Sequence, residues 1–160
     1  MNDDAPVRVF IVRHGRAGSR RRWKGDDRDR PLSKAGIRQA EALADLLVPA
    51  GPTRILSSPY LRCEQTVLPL ARRVGVEVEV TPALAEGAWW PEALSLMTEA
   101  KSALVLCSHG DVIGELVLAI AEQTPVKLGP DGPALAKASV WAVEITDGEL
   151  GAARYLPPPG

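Results

Sequence analysis

Two uninterrupted apolar runs, VFIV at residues 9–12 and ALVLC at 103–107, constrain this chain more than any other feature. A strand with one wet face alternates apolar and polar residues, so runs without alternation belong in a sheet covered on both faces. The first run extends back to VRVFIV (7–12), and each run is followed almost at once by a histidine. Those two, His14 and His109, are the only histidines in the chain.

The segments between the runs alternate in type. SKAGIRQAEALADLLVPA (33–50) places Ile37, Ala40, Leu43, Ala44 and Leu47 at helical spacing behind a Ser33 N-cap, with Pro49 and Gly51 marking its end. TRILSS (53–58) reads as a short strand, and 59–75 as a helix that Pro69 is expected to kink or split. VEVEV (76–80) alternates strictly and should be a strand with one wet face. A loop over 81–91, a short helix from 91 to about 100, a strand over 102–109 and a helix over 114–123 follow. SVWAVEIT (139–146) and LGAARYL (150–156) form an expected hairpin through Asp147-Gly148. This order predicts an α/β fold, a three-layer α/β/α sandwich with a mostly parallel central sheet and an antiparallel C-terminal edge. One domain is expected over 1–160, with 1–6 and 157–160 as frayed termini.

Charge narrows the partners. With 19 basic and 20 acidic residues the net charge is −1, which argues against nucleic acid as a partner. A small anionic substrate needs only a few local cations. No apolar run approaches the ~20 residues of a membrane-spanning helix. The start has no basic segment followed by an apolar one, so a cytoplasmic location is expected. Cys63 and Cys107 make neither a disulfide framework nor a metal-ligand set, and both are expected to be buried reduced thiols.

In open α/β sheets ligands bind outside the carboxyl ends of the strands. Both histidines fall at such ends and are expected to face each other across one crevice. SSPYLRCEQT (57–66) behaves in the same way. It puts Arg62 in the first turn of a helix, where free N–H groups and the helix dipole already favour an anion. With Arg13 this makes four cation-capable groups on one sheet edge, a costly cluster unless an anion binds among them. Planar guanidinium groups suit phosphate oxygens.

VRHG after the first strand, SSPxxRxxQT over Ser57–Thr66, the acidic residue of LAEG and SHGD after a late strand resemble the histidine phosphatase superfamily. The resemblance covers roughly residues 7–145. It implies that His14 attacks phosphorus to form a phosphohistidine intermediate, and that Arg13, Arg62 and His109 clamp the phosphoryl oxygens. It implies that Glu86 protonates the leaving oxygen and then activates water. No metal and no other cofactor is implied. Asp111 reads as a helix N-cap, and is the next candidate for the acid.

The mutase branch of the superfamily carries an acidic residue, a serine and an asparagine soon after RHG. Here Arg16, Ala17 and Arg20 stand in that region instead. R-H-G-x-A, the short length and RPLSKAG (30–36) resemble SixA-type phosphohistidine phosphatases, which implies a phosphorylated protein as substrate. The same segment resembles the phosphatase half of Nudix–phosphatase fusions, which implies a nucleotide or another small phosphorylated metabolite. The fold also occurs as inactive anion-binding or scaffolding modules, which typically lose a catalytic member. A monomer or weak homodimer is expected. GRAGSRRRWKGDDRDR (15–30) reads as a solvated loop or as a second anion-binding rim of Arg20, Arg21, Arg22 and Lys24. Trp89 and Trp90 read either as a stacking wall for substrate or as an apolar plug.

Overall fold

In the computed structural model, which describes residues 5–159, the two apolar runs become adjacent parallel strands at the centre of one sheet. The strands are β1 (Val7–Arg13), β2 (Arg54–Ser57), β3 (Val78–Val80), β4 (Leu104–Ser108), β5 (Val140–Thr146) and β6 (Glu149–Leu156). They lie in the order β3-β2-β4-β1-β5-β6. The first four are mutually parallel, and β5 and β6 add an antiparallel edge, as expected from the sequence.

Four helices cover the two faces: α1 (Lys34–Leu47), α2 (Leu61–Val74), α3 (Trp90–Thr98) and α4 (Gly110–Ala121). Successive residues of a strand point to opposite faces, so β1 serves both layers. Val9 and Ile11 pack with Ala93 and Met97 of α3 and Val112, Ile113 and Leu116 of α4. Phe10 and Val12 pack with Leu43 and Leu47 of α1 and Val67 and Leu70 of α2. Apolar side chains on both faces of one strand are what the unbroken run required.

Local signals explain most boundaries. The Ser33 side chain accepts the Gly36 N–H and caps α1, and Gly51 closes the turn after it in the left-handed region. Asp147 and Gly148, both at positive φ, turn the C-terminal hairpin.

Three expectations need correction. Pro69 does not split α2, which runs unbroken for 14 residues, because Cys63, Val67, Leu70 and Ala71 pin turns on both sides of it to the sheet. Helix α4 begins at Gly110, four residues before the expected start. Arg13 comes close at this first position: a Cβ on Gly110 would lie 2.9 Å from the guanidinium carbon. The strand in VEVEV is only Val78–Val80, although half-buried Val76 and Val78 and exposed Glu77 and Glu79 keep the alternation. At the termini, residues 1–4 and 160 lie outside the described residues, while Pro158 lines a surface cleft.

The RPLSKAG segment has a steric reason. A Cβ on Gly36 would sit 2.0 Å from the Arg16 carbonyl, whose oxygen also accepts the Ser33 N–H at 2.9 Å. Gly36→Ala is therefore expected to destabilise the fold by about 1–3 kcal/mol, the scale for overpacking. A lowered urea midpoint would register the loss, and an unchanged midpoint would show that α1 can slide away from the loop.

Candidate active site

Register brings the two histidines together. Arg13 ends β1 opposite Ser108, which ends β4, so the next residue of each strand emerges at the same sheet edge. The His14 and His109 rings stand 5.4 Å apart, close to edge-to-face. The single crevice expected from the sequence is present. It is a cleft of about 730 Å³ lined by Arg13, His14, Arg20, Arg30, Glu86 and His109 among others.

His14 is 6% exposed, and its Nδ1 lies 2.7 Å from the Gly15 carbonyl oxygen. A carbonyl only accepts, so Nδ1 carries the proton and Nε2 keeps a lone pair. Burial lowers its pKa to about 3, against the opposing pull of the Gly15 hydrogen bond and with His109, Arg62 and Arg13 pushing the same way as burial. The imidazole is thus neutral at pH 7, as a nucleophile must be.

This depression has a consequence for stability. Between the ordinary histidine value of about 6.5 and about 3, the unfolded chain binds a proton at this position that the folded chain refuses. The contribution of His14 is therefore fully present above pH 6.5 and is lost as pH falls, at up to ~1.4 kcal/mol per pH unit. His14→Asn is expected to lose stability less steeply than wild type between pH 6 and 4, by denaturant titration. Parallel pH dependences would show that His14 titrates normally.

Of the other residues expected to form the clamp, Arg13 and His109 line the cleft and Arg62 does not. His109 accepts or donates at 2.8 Å to the Ser58 hydroxyl through Nε2, while its Nδ1 is buried without a partner. The Nε atoms of Arg13 and Arg62 are likewise buried and unpartnered. Buried polar atoms ordinarily find partners, and these three nitrogens have none among the described residues. Arg62, expected to clamp the phosphoryl group, is wholly buried and is not among the residues lining the cleft. Its terminal nitrogens donate to the Asp27 carbonyl at 2.9 Å and the Asp27 carboxylate at 3.1 Å. Asp27 also takes the Arg30 Nε at 2.9 Å. Burial pushes the Asp27 carboxyl up, but Arg30 and Arg62 outweigh it and hold the group below its usual range.

Glu86 reaches the same cluster from the loop before α3. Its carboxylate lies 3.2 Å from Arg20 and 3.7 Å from Arg62. Asp111 is not the N-cap of α4, a position His109 occupies without a side-chain bond. Its Oδ2 instead accepts the Gly87 N–H at 2.7 Å and tethers the loop that carries Glu86.

The expected rim is only partly in place. Arg20 lines the cleft, but Arg21, Arg22 and Lys24 are exposed and do not. Arg30, 6% exposed, and Leu32 are buried, so the loop 15–30 is anchored at its far end rather than wholly solvated. The tryptophans divide: Trp90 packs on the core as a plug, while Trp89 is 70% exposed and stands outside the cleft lining.

Several residues escaped the sequence reading. The Gly15 N–H donates to the Thr66 hydroxyl at 2.9 Å, and that hydroxyl donates to the Arg62 carbonyl at 2.6 Å. Gln65 accepts the Leu32 N–H at 2.8 Å. The last two letters of SSPxxRxxQT thus tie α2 to both ends of the loop after β1. Asp27 gave no such signal, because a carboxylate within a mixed-charge loop looks like solvated surface. Among the described residues no cluster of three or more histidines, cysteines, aspartates or glutamates is placed to hold a metal ion. Both cysteines are free and buried, and no helix of the described residues is long and apolar enough to cross a membrane.

Comparison with known proteins bears on the whole arrangement. An 8-oxo-(d)GTP phosphatase of Mycolicibacterium smegmatis is 38% identical over 157 residues, covering 94% of this chain and 48% of that protein. A protein described as "Probable phosphoglycerate mutase GpmB", from Yersinia pestis, is 37% identical over 82 residues, covering 50% of this chain and 38% of that protein. The chain spans less than half the length of these relatives. The protein histidine phosphatase SixA, solved with tungstate, superposes with a TM-score of 0.75 at 24% identity over 94% of both chains. The sequence profile of the histidine phosphatase superfamily (branch 1) matches residues 9–93, which include His14, the Arg62 helix and Glu86. This chain belongs to that superfamily.

Proposed function

We propose that the protein is a phosphohydrolase that transfers a phosphoryl group to Nε2 of His14 and then to water. A buried neutral imidazole with Nδ1–H fixed on Gly15 and Nε2 free, beside Arg13, Arg62 and His109, carries the reading. In the first step the bond from phosphorus to the leaving atom breaks as the Nε2–phosphorus bond forms. Glu86 supplies the proton to the leaving atom. In the second step water attacks phosphorus and gives its proton to Glu86, and the Nε2 electron pair returns to the ring. Arg13 and His109, which line the cleft, stabilise charge on the equatorial oxygens in both steps, and buried Arg62 adds its charge from beside them. Inactive modules of this fold typically lose a catalytic member, whereas Arg13, His14, Arg62, Glu86 and His109 are all present.

On substrate, we favour a small phosphorylated metabolite of the nucleotide class. The support is the 38% identity to an 8-oxo-(d)GTP phosphatase across nearly the whole chain. A phosphohistidine protein is the second reading, supported by the fold shared with SixA at lower identity. Brief incubation with ³²P-labelled substrate, followed by acid and alkaline hydrolysis, tests the mechanism. The expected label is acid-labile, base-stable and mapped to the His14 peptide, and a protein that turns over without such a label overturns it. Comparing kcat/KM for nucleotides with that for a phosphohistidine protein then decides the substrate class.

A further inference from the structure

Lys137 sits on the seam between two clefts. It lines the cleft of His14 and Arg13, and also an adjoining cleft of about 630 Å³ that includes Arg16, Gln39 and Pro158. Its backbone is tied to the nucleophile. The next residue, Ala138, is buried with φ of 67°, and its N–H donates to the carbonyls of both Arg13 and His14 at 3.1 Å. The Arg13 N–H in turn donates to the Ser139 carbonyl at 3.0 Å. A non-glycine residue in the left-handed region is held there against a cost of ~1–2 kcal/mol. The segment is therefore fixed relative to His14 rather than draped over the surface.

Among the described residues this lysine has no counterion. Glu86 is taken by Arg20 and Arg62, Asp27 by Arg30, Arg62 and Arg20, and Asp111 accepts the Gly87 N–H. No ion pair among the described residues includes Lys137 or Arg16. Lys137 is exposed overall, but partial burial of its ammonium, then repulsion from Arg13, Arg30, Arg16 and Arg20, pulls it below the usual lysine range. An anion bound beside it would relieve that repulsion.

We propose that Lys137, with Arg16 beside it, forms a second anion subsite that takes a phosphate of the substrate other than the one His14 receives. The substrate class is then a small molecule with two or more phosphate groups, either linked in a chain or carried separately. This rests on His14 as the phosphoryl acceptor, and it relocates the rim from the loop 20–24 to the segment before β5. Contacts to a group remote from the reacting phosphorus tighten binding and separate doubly from singly phosphorylated ligands.

Titration calorimetry with orthophosphate, pyrophosphate and fructose 1,6-bisphosphate tests the subsite without requiring turnover. At least one two-phosphate probe is expected to bind wild type about tenfold tighter than orthophosphate, the scale of one added charged contact. A gain with pyrophosphate points to a linked chain, and a gain with the bisphosphate alone points to separate groups. Lys137→Gln should erase the gain, whereas Lys24→Gln, which removes an equal charge outside both clefts, should keep it. Circular dichroism checks that both variants fold, and Lys137→Met stands in if the glutamine variant does not. The proposal is overturned if neither probe gains over orthophosphate, or if Lys24→Gln erases the gain as fully as Lys137→Gln. Failure of the His14 reading shows separately, as turnover without labelled protein.

Discussion

His14→Ala is expected to abolish both the labelled intermediate and measurable turnover while the chain stays folded. The size of the effect follows from the role. Without Nε2 there is no covalent intermediate, and water would have to attack the substrate directly in a cleft arranged for attack by the ring. Loss of the acceptor should cost at least the ~10⁴-fold at the upper end of what a single acid–base group contributes. Folding should survive, because the Gly15 N–H stays bonded to Thr66, and the His14 carbonyl still accepts from Ala138. Removing a buried imidazole whose protonation is penalised also removes a liability at low pH. Initial rates on phenyl phosphate, with circular dichroism as the folding control, are the measurement. Undiminished turnover would move the nucleophile elsewhere, with His109 the only other histidine.

The second large effect separates Glu86 from the loop that carries it. Glu86→Gln keeps the shape and can still face Arg20 and Arg62, but it cannot deliver a proton or take one from water. A general acid matters in proportion to how badly the leaving group needs the proton. An alkyl oxygen needs it, whereas a nitrophenolate leaves as the anion. The expected loss is ~10²–10⁴-fold on alkyl phosphates, and much less for the phosphorylation step on nitrophenyl phosphate. In the proposed mechanism the same carboxylate then activates water, so phosphoenzyme should accumulate on the nitrophenyl substrate as a burst. Equal small losses on both substrates, without a burst, would make Glu86 a bystander. Asp111 would then be the next acid to test, although its bond to Gly87 already gives it a structural task.

Asp27 shows how the cleft handles its own charge. Three arginines, Arg20, Arg30 and Arg62, converge on this one carboxylate. The contact with Arg62 is nearly solvent-free on the arginine side, so it orients the guanidinium more than a surface pair would. Arg62 is absent from the cleft lining and wholly buried, held by Asp27 and lying 3.7 Å from Glu86, which does line the cleft.

What the sequence by itself determined is everything carried by short-range pattern. Unbroken apolar runs required a doubly covered sheet. Helical spacing gave α1 and α2, and Asp147-Gly148 gave the final turn. His14, His109 and Arg13 at strand ends pointed to the candidate cleft that they line, because a parallel sheet lines up its carboxyl ends along one edge. Tertiary structure alone decided the rest, because it depends on partners distant along the chain. The β1–β4 register set the histidines 5.4 Å apart, and packing on both sides kept α2 whole through Pro69. Asp111 was drawn from its expected cap to the Gly87 N–H, and Asp27 was recruited beneath Arg62. Lys137 reached the cleft only because a left-handed Ala138 pairs with the carbonyls of Arg13 and His14, more than 120 residues earlier. A local window reports which conformation a segment prefers; which charge meets which is settled only when the chain closes on itself.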